Sequence, residues 1–153
     1  MSKTSENGKQ FILDCEESGQ LKTHAYRKKG DVWTIACGNT FYEDGTPVKQ
    51  GDVITPVRAR ELFENIVLQF EVDLTKLVTY ALNQNQWDAM MSFIWNLGYY
   101  QLVGTKTIKA LNAGHIAEFL CRHRTWIRST NPEFTQGLMN RRKKEQELFN
   151  KPV

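Results

Sequence analysis

The sequence predicts an α+β fold whose β part is confined to one early stretch. Three observations carry this. Residues 30–52, GDVWTIACGNTFYEDGTPVKQGD, place β-branched and aromatic residues between turn-forming pairs. Thr55-Pro56 opens a long run of apolar residues spaced by three and four. The rest of the chain repeats that helical spacing in shorter runs that stop at Gly or Pro.

Taken in order, residues 1–10 are polar and are expected to form a disordered tail. FILDCEESG reads as a helix with Phe11, Ile12 and Cys15 on one face and Gly19 as its stop. Two or three short antiparallel strands are expected between residues 24 and 54, turned at GNT, at Asp44-Gly45 and at KQGD. Thr55 then caps a helix of about five to six turns. Its stripe is Ala59, Leu62, Phe63, Ile66, Val67, Phe70, Leu74 and Leu77. Trp87, Met90, Met91, Ile94 and Trp95 stripe a second helix that starts near Asn85 and ends at Gly98, and the spacing makes them core. TKTIKALNAG, stopping at Gly114, and HIAEFLCRHRTWI read as two further helices. A loop holding Pro132 and Gly137 is expected before the last helix, LMNRRKKEQELF. The expected organisation is one domain over 11–153, with a β-lobe over about 20–54 and a helical lobe over about 55–150. A cleft between two unequal lobes is a usual place for a ligand.

Composition narrows the class. Of 153 residues, 41% are hydrophobic and 24% charged, enough for a core without disulfide staples. A net charge of +3 suits an acidic partner without demanding nucleic acid. No apolar run is long enough to span a membrane, and MSKTSENGKQ lacks the apolar core of a signal peptide. The expectation is a protein made in the cytoplasm without its own export signal. Cys15, Cys37 and Cys121 are odd in number and far apart, which points to reduced thiols, with Cys15 and Cys121 in the core.

Candidate chemistry is sparse. Glu16-Glu17 sits at a helix end that runs into the β stretch. It is either a general acid in a partly dry cleft or a solvated helix end, and exposed Glu is the commoner case. Thr34 is either a hydroxyl that positions a water or a strand residue chosen for β-propensity. His24, His115 and the Cys121-x-His123 pair lack metal-ligand spacing, so no metal is expected. No phosphate-binding glycine motif occurs and no Cys has a His partner in sequence. RRKKE, residues 141–145, is either a solvated face or a helix that turns one arginine inward.

Four stretches in order resemble the phage-type lysozymes, the endolysin family of glycoside hydrolases (family 24). AYRKKGDVWTIACGNT is similar to the family's A-Y-x-D-x-x-G-v-W-T-I-G-y-G-h-T hairpin. DGTPVKQGDVITPVRARELF resembles the loop and long helix that follow it. NQNQWDAMMSFIWNLGYYQLVGTKTIKALNAG resembles n-Q-x-d-A-L-x-S-F-x-F-N-x-G…S-T-L-l-x-x-L-N-x-G. GLMNRRKKEQELF resembles G-L-x-x-R-R-x-x-E-x-x-L-f. The resemblance implies a lysozyme-like fold in which the hairpin floors a sugar-binding cleft. It also implies a catalytic glutamate at the end of the first helix, in the pattern Glu-x8-Asp/Cys-x5-Thr.

The chain departs from that pattern. Counted back from Thr34, the Asp/Cys position falls on Lys28, with ten residues between Glu17 and Lys28. Glu17 is the expected acid, with Glu16 the runner-up. Asp31 supplies the base after a loop shift, or Thr34 holds the water alone, or the fold serves binding only. A lysine beside the acid would favour its ionised form, so Lys28 is expected to point away from Glu17.

The resemblance also implies that Tyr26 lines the cleft and that Arg141 pairs with the catalytic glutamate. Asn39 stands on the substrate side where many relatives keep histidine. The implied function is hydrolysis of the β-1,4 bond between N-acetylmuramic acid and N-acetylglucosamine in bacterial peptidoglycan. The protein would be a monomer with no cofactor, no nucleic acid and no membrane insertion. It would reach the wall at lysis through a holin-type pore. Two alternatives remain: a lytic transglycosylase on the same bond, and a catalytically impaired wall-binding or virion protein.

Overall fold

The computed structural model describes residues 2–27 and 30–153. Among these, seven helices accompany one small two-stranded sheet, the α+β architecture expected. In chain order these are α1 (Glu6–Glu17), β1 (Lys22–Tyr26), β2 (Thr34–Ala36), α2 (Pro56–Leu77), α3 (Gln84–Leu97), α4 (Tyr99–Leu102), α5 (Lys106–Asn112), α6 (Ile116–His123) and α7 (Pro132–Asn150). The chain divides into two compact units, one of residues 10–69 and one of residues 1–9 with 70–153. The four-residue α4 went unread in the sequence.

In the first unit the strands pair antiparallel, with Tyr26 opposite Thr34 and Lys22 opposite Ala36, and the register slips by a bulge between them. Isolated bridges, His24 to Val53 and Phe41 to Pro47, extend the β region to its expected end. The turn at Asp44-Gly45 forms as its sequence demands. Thr46 N–H and Oγ1–H both donate to Asp44 Oδ1, and Gly45 takes φ 85°. Ile35, Ala36, Val48, Ala59 and Leu62 make the local core. Thr55 Oγ1 accepts from Arg58 N–H at 3.1 Å and Pro56 is the first residue of α2, so cap and first turn stand where their residue types predict.

The other unit is built on α3. Asn83 and Gln86 form a reciprocal capping box at its start, and Gly98, at φ 86°, ends it. Trp87, Met90, Met91 and Ile94 are buried as the stripe predicts, and half-buried Trp95 stacks on Phe70 with ring centroids 4.8 Å apart. Thr105 caps α5 by accepting from Ile108 N–H.

Three expectations are corrected. Residues 1–10 are not a disordered tail from Thr4 onward, since Thr4 N–H and Oγ1–H both donate to buried Glu71 and Ser5 is tied to buried Asp88. α1 therefore starts at Glu6, not Phe11. Gly137 lies inside α7 and not in a loop, because Asn131 caps the helix and Pro132 occupies its first turn. A helical glycine costs about 1 kcal/mol against alanine, less than a well-capped helix of this length can absorb. Cys121 is exposed and Cys15 half-buried, so neither thiol is in the core; Cys37 is buried.

Candidate active site

The acidic pair separates by exposure. α1 buries Ile12 and Leu13, and continuing that face puts Glu17 inside at 8% exposure while Glu16 faces solvent. The chain then leaves the helix abruptly. Ser18 (φ 54°) and Gly19 (φ 89°) are both left-handed, and Gly19 N–H closes the end on Leu13 O at 2.9 Å. Glu17 is thus the last residue of α1, where the backbone carbonyls make the local field negative.

β1 brings Tyr26 to it. Tyr26 Oη donates to Glu17 Oε1 at 3.0 Å. Burial, and then the neighbouring Glu17 carboxylate, push the phenol well above the usual tyrosine range. Tyr26 therefore remains a hydrogen-bond donor at any physiological pH.

Thr34 is the register partner of Tyr26, and directly opposed side chains project from the same face of a sheet. Thr34 Oγ1 donates to Val32 O at 3.1 Å. Its proton is committed, so the hydroxyl offers lone pairs to a neighbour. Asp31 is exposed in the bend before β2, and among the described residues no hydrogen bond links it to Glu17, Tyr26 or Thr34. Lys28 lies outside the described residues, and with it the expectation about its direction.

The turn after β2 is tight. Ile35 and Asn39 exchange backbone bonds at 2.9 and 3.0 Å, and Ala36 adopts φ 58°. The family writes glycine at this position. An L-residue there costs about 1–2 kcal/mol, and burying the Ala36 methyl offsets part of that. Asn39 spends both ends of its amide inside the unit: Oδ1 accepts from Cys37 N–H at 3.2 Å and Nδ2 donates to Leu62 O at 3.3 Å. It braces the turn.

In the other unit, Arg141 is buried and not part of a solvated basic face. Its Nε and Nη2 donate to Ser92 Oγ and Ser92 O at 3.2 and 3.1 Å. Arg142 is buried too, with its guanidinium 5.0 Å from the Phe93 ring centroid. Lys143 and Lys144 are the exposed members of the cluster, as their neighbours' inward turn requires. Sequence reading missed Glu145, which is 1% exposed and central to that cluster. The signal available was its i+3 and i+4 spacing from two arginines.

Residues 16–145 match the phage lysozyme family. The chain belongs to the phage lysozyme family. The endolysin of Salmonella phage P22 is 32% identical over 138 residues, which is 90% of this chain and 91% of that protein. A crystal structure of P22 lysozyme superposes with a TM-score of 0.84 at 30% identity, covering 99% of this chain and 100% of its own. The muramidase domain of SpmX from Asticaccaulis excentricus superposes with a TM-score of 0.81 at 25% identity over 99% of this chain and 100% of its own. The fold is lysozyme-like and the chain is a lysozyme-type hydrolase of the endolysin class. Within this family it carries lysine where the pattern puts Asp or Cys.

Proposed function

We propose that Glu17 is the general acid of a muramidase that cleaves the β-1,4 bond between N-acetylmuramic acid and N-acetylglucosamine in bacterial peptidoglycan. One observation carries this: Glu17 is the buried member of the pair and accepts from Tyr26, whose strand partner is Thr34. A general acid must hold its proton until the leaving oxygen needs it. The Tyr26 bond steadies the carboxylate left after proton transfer. Position 28 supplies no carboxylate to attack the sugar, so a covalent route is disfavoured. Water held by a hydrogen bond to Thr34 Oγ1 attacks from the opposite face as the Glu17 proton goes to the leaving oxygen; the water's surplus proton passes to bulk solvent, and the anomeric centre inverts. Asp31 assists only if the bend before β2 closes on substrate. Tyr26 lines the sugar site beside the acid, Asn39 braces the turn after the strand that carries Thr34, and Arg141 serves the reaction. The enzyme acts as a monomer and reaches the wall through a holin-type pore when the host is lysed.

The lysine at position 28 also favours a second reading, since a lytic transglycosylase needs no water-holding carboxylate. Mass analysis of muropeptides released by the purified protein separates the readings. Hydrolysis gives reducing ends one water heavier than the 1,6-anhydro ends of a transglycosylase. Binding to sacculi with no product at all would mean that the active site is lost.

A further inference from the structure

Two sets of polar residues remain outside the mechanism so far: Ser92 and Asn96 in SFIWN on α3, and Arg142 and Glu145, the neighbours of Arg141 in RRKKE on α7. Ser92 and Asn96 are four residues apart, so they share one helix face; so do Arg141 and Glu145. The structure presses these faces together inside one unit. Ser92 Oγ donates to Glu145 Oε2 at 2.5 Å and accepts from Arg141 Nε at 3.2 Å. Arg141 Nε also lies 3.5 Å from Glu145 Oε2. Glu145 Oε1 is 3.2 Å from Arg142 Nε and 2.9 Å from His123 Nε2. Arg142 Nη2 donates to Asn96 Oδ1.

The histidine is oriented in turn. Gln146 Nε2 donates to Leu120 O at 2.7 Å. A carbonyl only accepts, so this bond fixes which end of the amide faces inward. The same nitrogen lies 3.0 Å from His123 Nδ1 and donates to it, which leaves Nε2 as the N–H that meets Glu145. His123 is 3% exposed and Glu145 1%.

A carboxylate this deeply buried is costly, and isosteric apolar packing would serve stability as well or better. What the arrangement adds is direction. A guanidinium is planar, and Ser92 takes both N–H groups of the Nε–Nη2 edge of Arg141. That grip sets the plane and the aim of the Nη1–Nη2 edge. Glu145 holds Ser92 Oγ in the rotamer that makes the grip, and His123 holds Glu145.

We propose that Glu145, acting through Ser92 and supported by His123, is a positioning residue that fixes the guanidinium of Arg141 for the glycosidic cleavage. This rests on the reading that Arg141 serves the reaction, and the two can fail separately.

The test is a double-mutant cycle on purified peptidoglycan fragments, with kcat and KM measured and thermal unfolding followed for each protein. Arg141→Ala is expected to lower kcat roughly 100-fold. Glu145→Gln should lower kcat roughly tenfold with KM within about twofold. In the Arg141→Ala background it should cost nothing more, because a residue that acts through Arg141 has nothing left to position. Ser92→Ala, a smaller change, should behave like Glu145→Gln, and it decides the matter if Glu145→Gln does not fold. Full activity in Arg141→Ala would remove the underlying role of Arg141. Loss in Arg141→Ala with full kcat in folded Glu145→Gln or Ser92→Ala would overturn the positioning role. So would losses that multiply in the double variant.

Discussion

Glu17 and Glu145 are the same residue type, both buried, and the two units treat them in opposite ways. Glu145 sits mid-helix among Ser92, His123, Arg141 and Arg142, with guanidinium charge against each carboxylate oxygen. Glu17 sits at the end of α1, whose last turn carries no basic residue, and takes a bond from a neutral phenol. One environment holds a carboxylate still. The other holds the carboxyl proposed to give up a proton. Burial alone therefore does not set the two apart; their place in the helix and its surroundings does.

The largest effect expected from this contrast is on stability. Glu145→Ala strands buried guanidinium groups and should cost about 3–5 kcal/mol in denaturant unfolding. Glu17→Gln should stay within about 1 kcal/mol of wild type, since residues shaped for chemistry are often not optimised for stability. Equal losses in the two variants would break the contrast.

A smaller effect sharpens the catalytic side. Tyr26→Phe removes a donor that favours the ionised form of Glu17, so Glu17 should hold its proton to higher pH. The alkaline limb of the pH–rate profile should move upward, with roughly a tenfold loss of rate from the less well held acid. An unmoved limb would mean that Glu17 is not the titrating group.

Smaller again, Gly137→Ala tests the extent of the helix that carries Glu145. The position is exposed, within α7, and a Cβ there meets nothing within 4 Å. Thermal unfolding should show a gain of about 0.5–1 kcal/mol; a loss would restore the loop read from sequence.

The smallest effect concerns the turns of the β-lobe. Arg58 holds the Glu43 carboxyl below its ordinary range, and Lys49 N–H with Tyr42 Oη does the same for Asp52. Groups whose folded values are lowered contribute stability above the ordinary carboxylate range and lose it as pH falls through their folded values. Tyr42 works the other way. Burial first, then Asp52, push it up to about 12, so its contribution is present below the ordinary tyrosine value and fades as pH rises through about 12. Glu43 is exposed while Tyr42, Asp52 and Arg58 are half-buried, and added salt should weaken the ionic part. Exchange protection of the Tyr42 to Asp52 turn, followed against pH, reads this out.

What the sequence made legible was local. Thr55-Pro56, the stripe from Trp87 to Trp95 and the stop at Gly98 each depend on neighbours within a few positions, and each stands where its pattern points. The N-terminal segment was misread because its partners are remote: Thr4 meets Glu71, 67 positions away, and Ser5 meets Asp88, 83 away. Polar residues anchored by distant buried carboxylates look like a tail in any window. Asn131-Pro132 carried the same start signal as Thr55-Pro56 and was overruled by Gly137, a breaker given too much weight. At the site, family resemblance favoured Glu17 over Glu16, and spacing from apolar Ile12 and Leu13 could have done the same. Glu145 stayed hidden because an acid among four basic residues reads as a solvated charge run until the facing helix is known.

The most direct test compares wild type, Glu17→Gln and Glu16→Gln in clearing chloroform-permeabilised Gram-negative cells at equal folded concentration. The role of Glu17 as the acid requires a loss of roughly 10²- to 10⁴-fold for Glu17→Gln and a change within about twofold for Glu16→Gln. Clearing that survives Glu17→Gln, or that disappears in Glu16→Gln alone, would contradict it.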